Sequence, residues 1–316
     1  MTKRYPPVLS PSDAGRVGVL MGGNSSERAV SLESGRNVYD ALIRQGYQAH
    51  LIDGIDALMA QASTGALDCV FNIMHGAEGE NGVVPALLEA HNIKYTGSGV
   101  LGSALTLDKI RTKQVWIAAG LPTPRFKRVR GLIEIDEAAL EIGFPLIVKP
   151  SLEGSSVGIS RVFDASELHQ AAQLASKYSG ELLMETLIVG DELTVGILGE
   201  ETLPSIHIVP ANAYYDYHAK YQSDETQYHC PGLSGAAELA IRELSLQAFQ
   251  LAGAFGWGRV DLMRDRQGQC WLLEVNTTPG MTSHSLVPKA AASVGIQFDE
   301  LVARILGTAI RPGESR

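Results

Sequence analysis

Apolar positions alternate most strictly along two stretches, RVDLM from Arg259 and CWLLEVN from Cys270, separated by a polar tip that carries Gly268. This pattern predicts a β-hairpin. With a two-residue loop at Gln267-Gly268, paired positions keep a constant sum across the ladder, so Asp261 faces Glu274 and Arg259 faces Asn276. The period of two puts these four side chains on one face and Val260, Leu262, Leu273 and Val275 on the other, as a core-facing set. Two carboxylates directly opposite each other repel. A divalent cation between them removes that penalty, and carboxylate and amide oxygens are the hard donors that Mg²⁺ prefers. A solvated face with chance acids is the plainer alternative. Against it, the face also holds Arg259, and the ribbon runs on into TTPGMTSHS, a Gly/Ser/Thr loop suited to anions.

Upstream, RVGVLM at 16–21 predicts a buried strand, and GGNSSERAVSLESG a turn opening a helix. Ser25 or Ser26 is placed to cap that helix, with Glu27 in its first turn, where the helix dipole favours an acid. YQAHLID and DCVFNIMHG are further strands, VVPALLEAHN a helix, and IKYTG a strand. Strand–helix alternation predicts a parallel α/β domain with ligands at the carboxyl ends of its strands. The loop HGAEGENG lies at such an end and offers His75 and Glu80, which as plain loop residues would need no further role. The helix SALTLDKIRTKQVWIAAG follows. FPLIVKP is then a strand carrying Lys149, EGSSVGIS a Gly/Ser loop returning as the strand RVF, and DASELHQAAQLASKYS a helix capped by Asp164 or Ser166. ELLMETLIVG carries Glu185, and DELTVGILG is a strand that Glu192 opens. Residues 210–232 lack periodicity yet hold five of the ten tyrosines. Long aperiodic loops in compact domains are usually lids or disordered, and disordered segments are poor in aromatics, so a lid is expected there.

The 316 residues leave room for two or three domains, and 45% apolar with 19% charged residues describes a soluble globular protein. No apolar run is long enough to span a bilayer. Residues 1–15 lack the apolar core of a secretory signal and read as a loose arm, which points to the cytoplasm. Cys69, Cys230 and Cys270 are odd in number and lack metal-type spacing, so neither a disulfide framework nor a zinc site is expected. A net charge of −9 argues against a nucleic-acid surface but not against nucleotides, whose phosphates a few lysines and Mg²⁺ can meet.

Two motifs are misleading. GSGVLG at 97–102 formally fits the dinucleotide fingerprint, but it comes after several βα units, and no strand ending in an acid follows about twenty residues on. A linker into a second domain accounts better for its glycines. Gly154 to Gly158 fits the nucleophile-elbow pattern around Ser156, yet ISRVF reads as strand where an elbow needs a helix. What remains is a glycine hairpin whose backbone N–H groups can close over phosphates.

Together, GGNSSERAVSLESG, HGAEGENG, Asp108-Lys109, VKPSLEGSSVGIS, KYQSDETQY, GRVDLM and LLEVNTTPGMTSHSLVP resemble the signature segments of D-alanine–D-alanine ligases. They occur in family order over nearly the whole chain after about residue 16. The resemblance implies an α/β (α+β) ATP-grasp fold in three domains. These are an N-terminal parallel α/β domain at 1–97, a central domain at 98–187 and a C-terminal domain at 188–316, with ATP between the last two.

It also implies roles by position. Lys109, Lys149 and Lys220 would meet ATP, with Ser155, Ser156 and Val157 closing over the phosphates. Glu185 and Glu192 would bind adenine and ribose, with Leu187 and Ile188 at the hinge. Asp261, Glu274 and Asn276 would ligate two Mg²⁺ ions, with Mn²⁺ an alternative. Glu27 would hold the ammonium of the first D-alanine with His75 in the same site, and Ser285 and Leu286 would take the second. Arg259 and the Gly280 backbone would bind the oxyanion. Ser155 and Tyr221, hydrogen-bonded to Glu27, would latch the lid. The implied activity is ATP-dependent joining of two D-alanines through an acyl phosphate, for peptidoglycan synthesis, by a homodimer without nucleic-acid or membrane partners. The Lys220-Tyr221 segment resembles the D-alanine-selective branch rather than the D-lactate one. Asn81 stands where the family usually has an acid, and Leu152 where it usually has a polar or basic residue.

Overall fold

The computed structural model describes residues 5–155, 157–210 and 226–309. Its strands form three sheets. In the first, β1 (Arg16–Met21), β2 (Gln48–Asp53), β3 (Cys69–Asn72) and β4 (Lys94–Tyr95) run parallel in the order β2-β1-β3-β4. A parallel sheet is covered on both faces, so β1 is apolar and buried from Val17 to Met21. Val17, Val19 and Met21 meet Val38, Ala41 and Leu42 of helix Arg28–Arg44, while Leu20 faces Leu58, Val84 and Leu88 on the other side.

β5 (Phe126–Val129), β6 (Leu146–Pro150), β7 (Ser160–Val162) and β8 (Leu182–Thr186) form an antiparallel sheet, β5-β8-β6-β7. Helices Ile135–Ile142 and Ala165–Ala175 close a core on it that uses residues of 129–184 alone. The third sheet is also antiparallel, with β9 (Gly190–Leu198), β10 (Glu201–Val209), β11 (Gln227–His229), β12 (Trp257–Asp265) and β13 (Cys270–Asn276) in the order β11-β10-β9-β12-β13. Helix Gly235–Leu251 covers one face through Ile241, Ala248 and Phe249.

The first and third sheets share a core. Trp257 lies 6.1 Å from Phe71 between ring centroids, and Val287, Leu301 and Ile305 of the C-terminal helices pack with Val17 and Val38. Residues expected as a loose arm are tied down from Tyr5 onward. Tyr5 and Leu9 pack on this core, the Tyr47 hydroxyl donates to the Leu9 carbonyl, and Arg304 Nη1 donates to the Pro6 carbonyl at 2.6 Å. Among the described residues, no helix is long and apolar enough to cross a membrane.

The hairpin pairs as predicted where it matters, but not at its tip. Arg259 faces Asn276 and Asp261 faces Glu274, yet Leu262 pairs with Leu272, not Leu273. The loop has three residues, 266–268. Asp265 accepts from the N–H groups of Gln267 and Gln269 through Oδ1, at 3.0 and 2.9 Å, and Gly268 takes φ of +87°, which costs a glycine little. A β-bulge at Leu273 then restores the register. Leu272 is therefore the buried core residue, and Leu273 is only half-buried.

The predicted helix from 103 to 120 is two helices, Val100–Leu107 and Lys109–Ala118. Asp108 breaks it and caps the second, accepting from Arg111 N–H at 3.1 Å. Of the GSGVLG glycines, Gly97 takes φ of +92° and Gly102 serves packing. A Cβ on Gly102 would lie 2.0 Å from the Gly253 carbonyl oxygen, so the helix backbone meets another backbone there. Gly102→Ala should cost about 1–3 kcal/mol or more by overpacking. An unchanged thermal unfolding midpoint would show that this contact is not tight.

Candidate active site

The carboxyl ends of β1 and β3, the glycine loop after β6, the β12–β13 ribbon and the loop after β13 converge on one cavity of about 70 Å³. Its walls hold Glu27, His75, Ser155, Glu192, Arg259, Asp261, Glu274, Asn276, Gly280, Ser285 and Leu286, all expected site residues. Glu80, Thr278, Thr282 and His284 also line it.

On the ribbon face, Asp261 is surrounded by donors. Arg259 forks onto both of its oxygens at 2.8 Å each, Thr194 Oγ1 donates at 2.7 Å, and Asn276 Nδ2 donates at 3.0 Å. Glu274 faces Lys109 Nζ at 3.2 Å, and that ammonium also donates to the Glu153 carbonyl at 2.6 Å. Lys109 thus joins the glycine loop to the ribbon. The like charges on neighbouring strands are each matched by a cation.

Glu27 is not in the first turn of its helix but at the N-cap, one residue before Arg28. Ser25 Oγ accepts from its N–H at 3.2 Å and donates to the His75 carbonyl at 2.8 Å. The Glu27 carboxylate accepts from the Ser155 hydroxyl, and Ser155 holds φ of +50°, strained for a residue with a side chain. Val157 N–H closes that turn onto the Gly154 carbonyl at 3.1 Å, so in this arrangement it does not face the cavity as a phosphate donor. Ser285 Oγ accepts from Thr282 N–H at 2.8 Å at the start of helix Leu286–Ala292.

A family model described as the D-ala D-ala ligase C-terminus matches residues 115–307. The chain is 59% identical over 302 residues to the D-alanine–D-alanine ligase of Xanthomonas axonopodis pv. citri, covering 94% of this chain and 95% of that protein. The chain belongs to the D-alanine–D-alanine ligase family. It is similar in structure to the Bacillus anthracis D-alanine–D-alanine ligase, with a TM-score of 0.83, 33% identity, and coverage of 93% of this chain and 97% of that one. The same ligase complexed with ATP matches with a TM-score of 0.80 and 32% identity, over 93% and 96% of the two chains. The fold is the ATP-grasp fold of the family.

Of the family residues expected at the nucleotide, Ser155 and Glu192 line the cavity, whereas Lys109, Lys149, Glu185, Leu187 and Ile188 are not part of its wall. Lys149 Nζ and Lys113 Nζ pair with the two oxygens of Glu185 at 2.5 and 2.9 Å, all three side chains being buried. Burial alone would raise Glu185, but the two ammoniums more than offset it and hold it down at about 2. Burial pulls Lys113 down to about 8 against the attraction of Glu185. Leu187 N–H is engaged by the Pro145 carbonyl at 3.1 Å, and Ile188 follows it in the link between β8 and β9. Ser156, Lys220 and Tyr221 lie outside the described residues. Lys113 was not foreseen.

Burial lowers His75 below its usual range, against the opposite pull of Glu27, so the imidazole is neutral at physiological pH. Burial and the nearby Glu27 raise Glu80 to about 7, although Thr278 Oγ1 and Gly76 N–H donate to it at 2.6 and 2.9 Å. Between its ordinary 4.5 and about 7 the folded chain keeps a proton on Glu80 that the unfolded chain has released. The stability from this proton is full below the ordinary value and is lost as pH rises to about 7. Glu80→Gln should remove that decline. Denaturant unfolding of both proteins across this range tests it, and a pH-independent difference between them would refute the assignment.

Proposed function

We propose that this chain joins two D-alanine molecules, using ATP, through an acyl-phosphate intermediate. The observation that carries the reading is the single cavity in which Glu27 with Ser155, the Arg259–Asp261–Glu274–Asn276 face, and Gly280 with Ser285 meet.

A carboxylate and an amine do not condense at neutral pH, because oxide is a poor leaving group. Phosphorylation of the carboxylate supplies a good one. Glu27, oriented by the Ser155 hydroxyl, suits an ammonium group and would fix the first amino acid with its carboxylate toward the ribbon. Lys109 and Lys149 would meet the phosphates of ATP, and Ser285 the carboxylate of the second amino acid. The amine of that second molecule then attacks the acyl carbon, phosphate leaves, and the dipeptide remains. Arg259 and the Gly280 N–H are donors suited to the tetrahedral oxyanion, each such donor typically contributing about 3–4 kcal/mol.

The donor set fits Mg²⁺. Asp261, Glu274 and Asn276 present two carboxylates and an amide on one face, and no group of three or more His, Cys, Asp or Glu residues that could cage a metal occurs among the described residues. That composition matches an ion shared between one or two carboxylates and substrate phosphates. When bound there, such ions neutralise charge on the transferring phosphoryl group.

The division at 97 and 187, a two-ion site, a homodimer and a cytoplasmic location belong to the same reading. The self-contained core over 129–184 supports the central unit. Of the lid expected over 210–232, residues 211–225 lie outside the described residues and Gln227–His229 is the edge strand β11. Such a lid would keep water from the acyl phosphate.

Phosphate release from ATP, with mass spectrometry of products, tests the activity on D-alanine, L-alanine, and D-lactate with D-alanine. Release and D-alanyl-D-alanine are expected only where D-alanine and Mg²⁺ are present. Release with another acid alone would move the substrate, and silence with all of them would remove the catalytic reading. Glu274→Ala should lower turnover by at least about a hundredfold and raise the Mg²⁺ requirement. Retained activity would take the metal away from the ribbon.

A further inference from the structure

The two cations on Glu185 are not equivalent. Lys149 lies on β6, in the same sheet as Glu185 on β8, with its side chain 7% exposed, and its described contact is the pair with Glu185. Lys113 has a fully buried side chain whose ammonium forms an ion pair with Glu185 Oε2 at 2.9 Å. It donates hydrogen bonds to Thr123 Oγ1 at 2.6 Å and the Leu272 carbonyl on β13 at 3.3 Å. Thr123 is itself fixed, donating to the same carbonyl at 2.8 Å. The helix that carries Lys113 is fastened to the third sheet's core by Trp116, which is buried there and donates to the Ala248 carbonyl at 3.0 Å. Lys113 is therefore anchored on the ribbon side, and Lys149 and Glu185 on the central side.

We propose that Lys113 is a positioning residue, a fixed counter-ion that holds Glu185 in place while Lys149 exchanges Glu185 for a phosphate of ATP. The inference rests on the functional reading of Lys149 and Glu185 as nucleotide contacts. Two ammoniums and one carboxylate leave a surplus positive charge, which an arriving phosphate can take up. Without Lys113 the cluster is a neutral pair, and drawing Lys149 away would strand a carboxylate that is 1% exposed. The penalty falls on nucleotide binding and spares the amino-acid sites, which lie along the cavity walls.

The test is steady-state kinetics with ATP and D-alanine varied separately, together with thermal unfolding, for wild type, Lys113→Met, Glu185→Gln and the double variant. Lys113→Met should raise KM for ATP at least about tenfold while KM for D-alanine changes little. In the Glu185→Gln background, Lys113→Met should leave KM for ATP where Glu185→Gln set it, because Lys113 acts through that carboxylate. The double variant should also regain thermal stability lost in Lys113→Met. A lowered unfolding midpoint with unchanged KM for ATP would make Lys113 purely structural. A further rise of KM for ATP in the double variant would show that it acts independently, and either result overturns the inference. The double variant decides the matter even where Lys113→Met alone does not fold. Wild type without ATP-dependent turnover would instead defeat the functional reading itself.

Discussion

Two carboxylates held side by side on neighbouring strands constrain everything around them. Asp261 and Glu274 cannot move apart, because the ladder between β12 and β13 fixes their backbones. Each therefore needs its own countercharge, and burying a carboxylate without one costs several kcal/mol. Arg259 serves Asp261 from two residues away on the same strand. Glu274 takes its cation from outside the sheet, and helix Lys109–Ala118 supplies it. Lys109 and Lys113 are four residues apart and so stack on one helix face. Lys109 reaches Glu274, and Lys113 reaches Glu185 on the central sheet. One helix face thus satisfies acids from both walls of the cleft.

The sequence pattern was most informative where one face is buried and the other carries charge. The alternation along β12 and β13 revealed the Arg259–Asn276 and Asp261–Glu274 pairs, because a slip of one residue would have sent the charged set into the core. The tip was less legible. A glycine between two strands is compatible with loops of two or three residues, and the Asp265 side-chain bonds that favour the longer one are a tertiary detail. The bulge at Leu273 compensates, so two departures from the expected ladder cancel at the functional pairs. The shared core of the first and third sheets was not legible, since it joins residues such as Val17 and Ile305 from opposite ends of the chain.

In the site, pattern alone pointed to the ribbon and the glycine loop, whereas individual roles for Glu27, Ser285 and Glu185 came from the family resemblance. Lys113 escaped both. A lysine inside a mixed polar helix reads by default as solvated, yet a signal was present. Lys109, Thr112, Lys113 and Trp116 fall at i, i+3, i+4 and i+7, a single stripe, and a tryptophan on that stripe marks the face that turns inward. All four are buried. Two lysines on a stripe that a tryptophan turns inward require acids opposite them, and Glu185 and Glu274 are those acids.

The balance of apolar and polar contacts also bears on how the cleft can work. The central sheet closes its own apolar core, while the first and third sheets share theirs. What links the central sheet to the rest at the cleft is polar: Ser155 to Glu27, the Glu153 carbonyl to Lys109, and Glu185 to Lys113. Polar contacts can be exchanged for a phosphate or an ammonium without exposing apolar surface, whereas a shared apolar core resists separation. Substrate groups can therefore replace individual links at the cleft while the cores on either side stay intact. The strain at Ser155 fits this arrangement, because the φ of +50° is held in part by the bond to Glu27, and an ammonium held there as proposed would compete for that carboxylate. If Glu27 is the ammonium site, as proposed, occupancy of that site and the conformation of the glycine loop would be coupled through one shared acceptor.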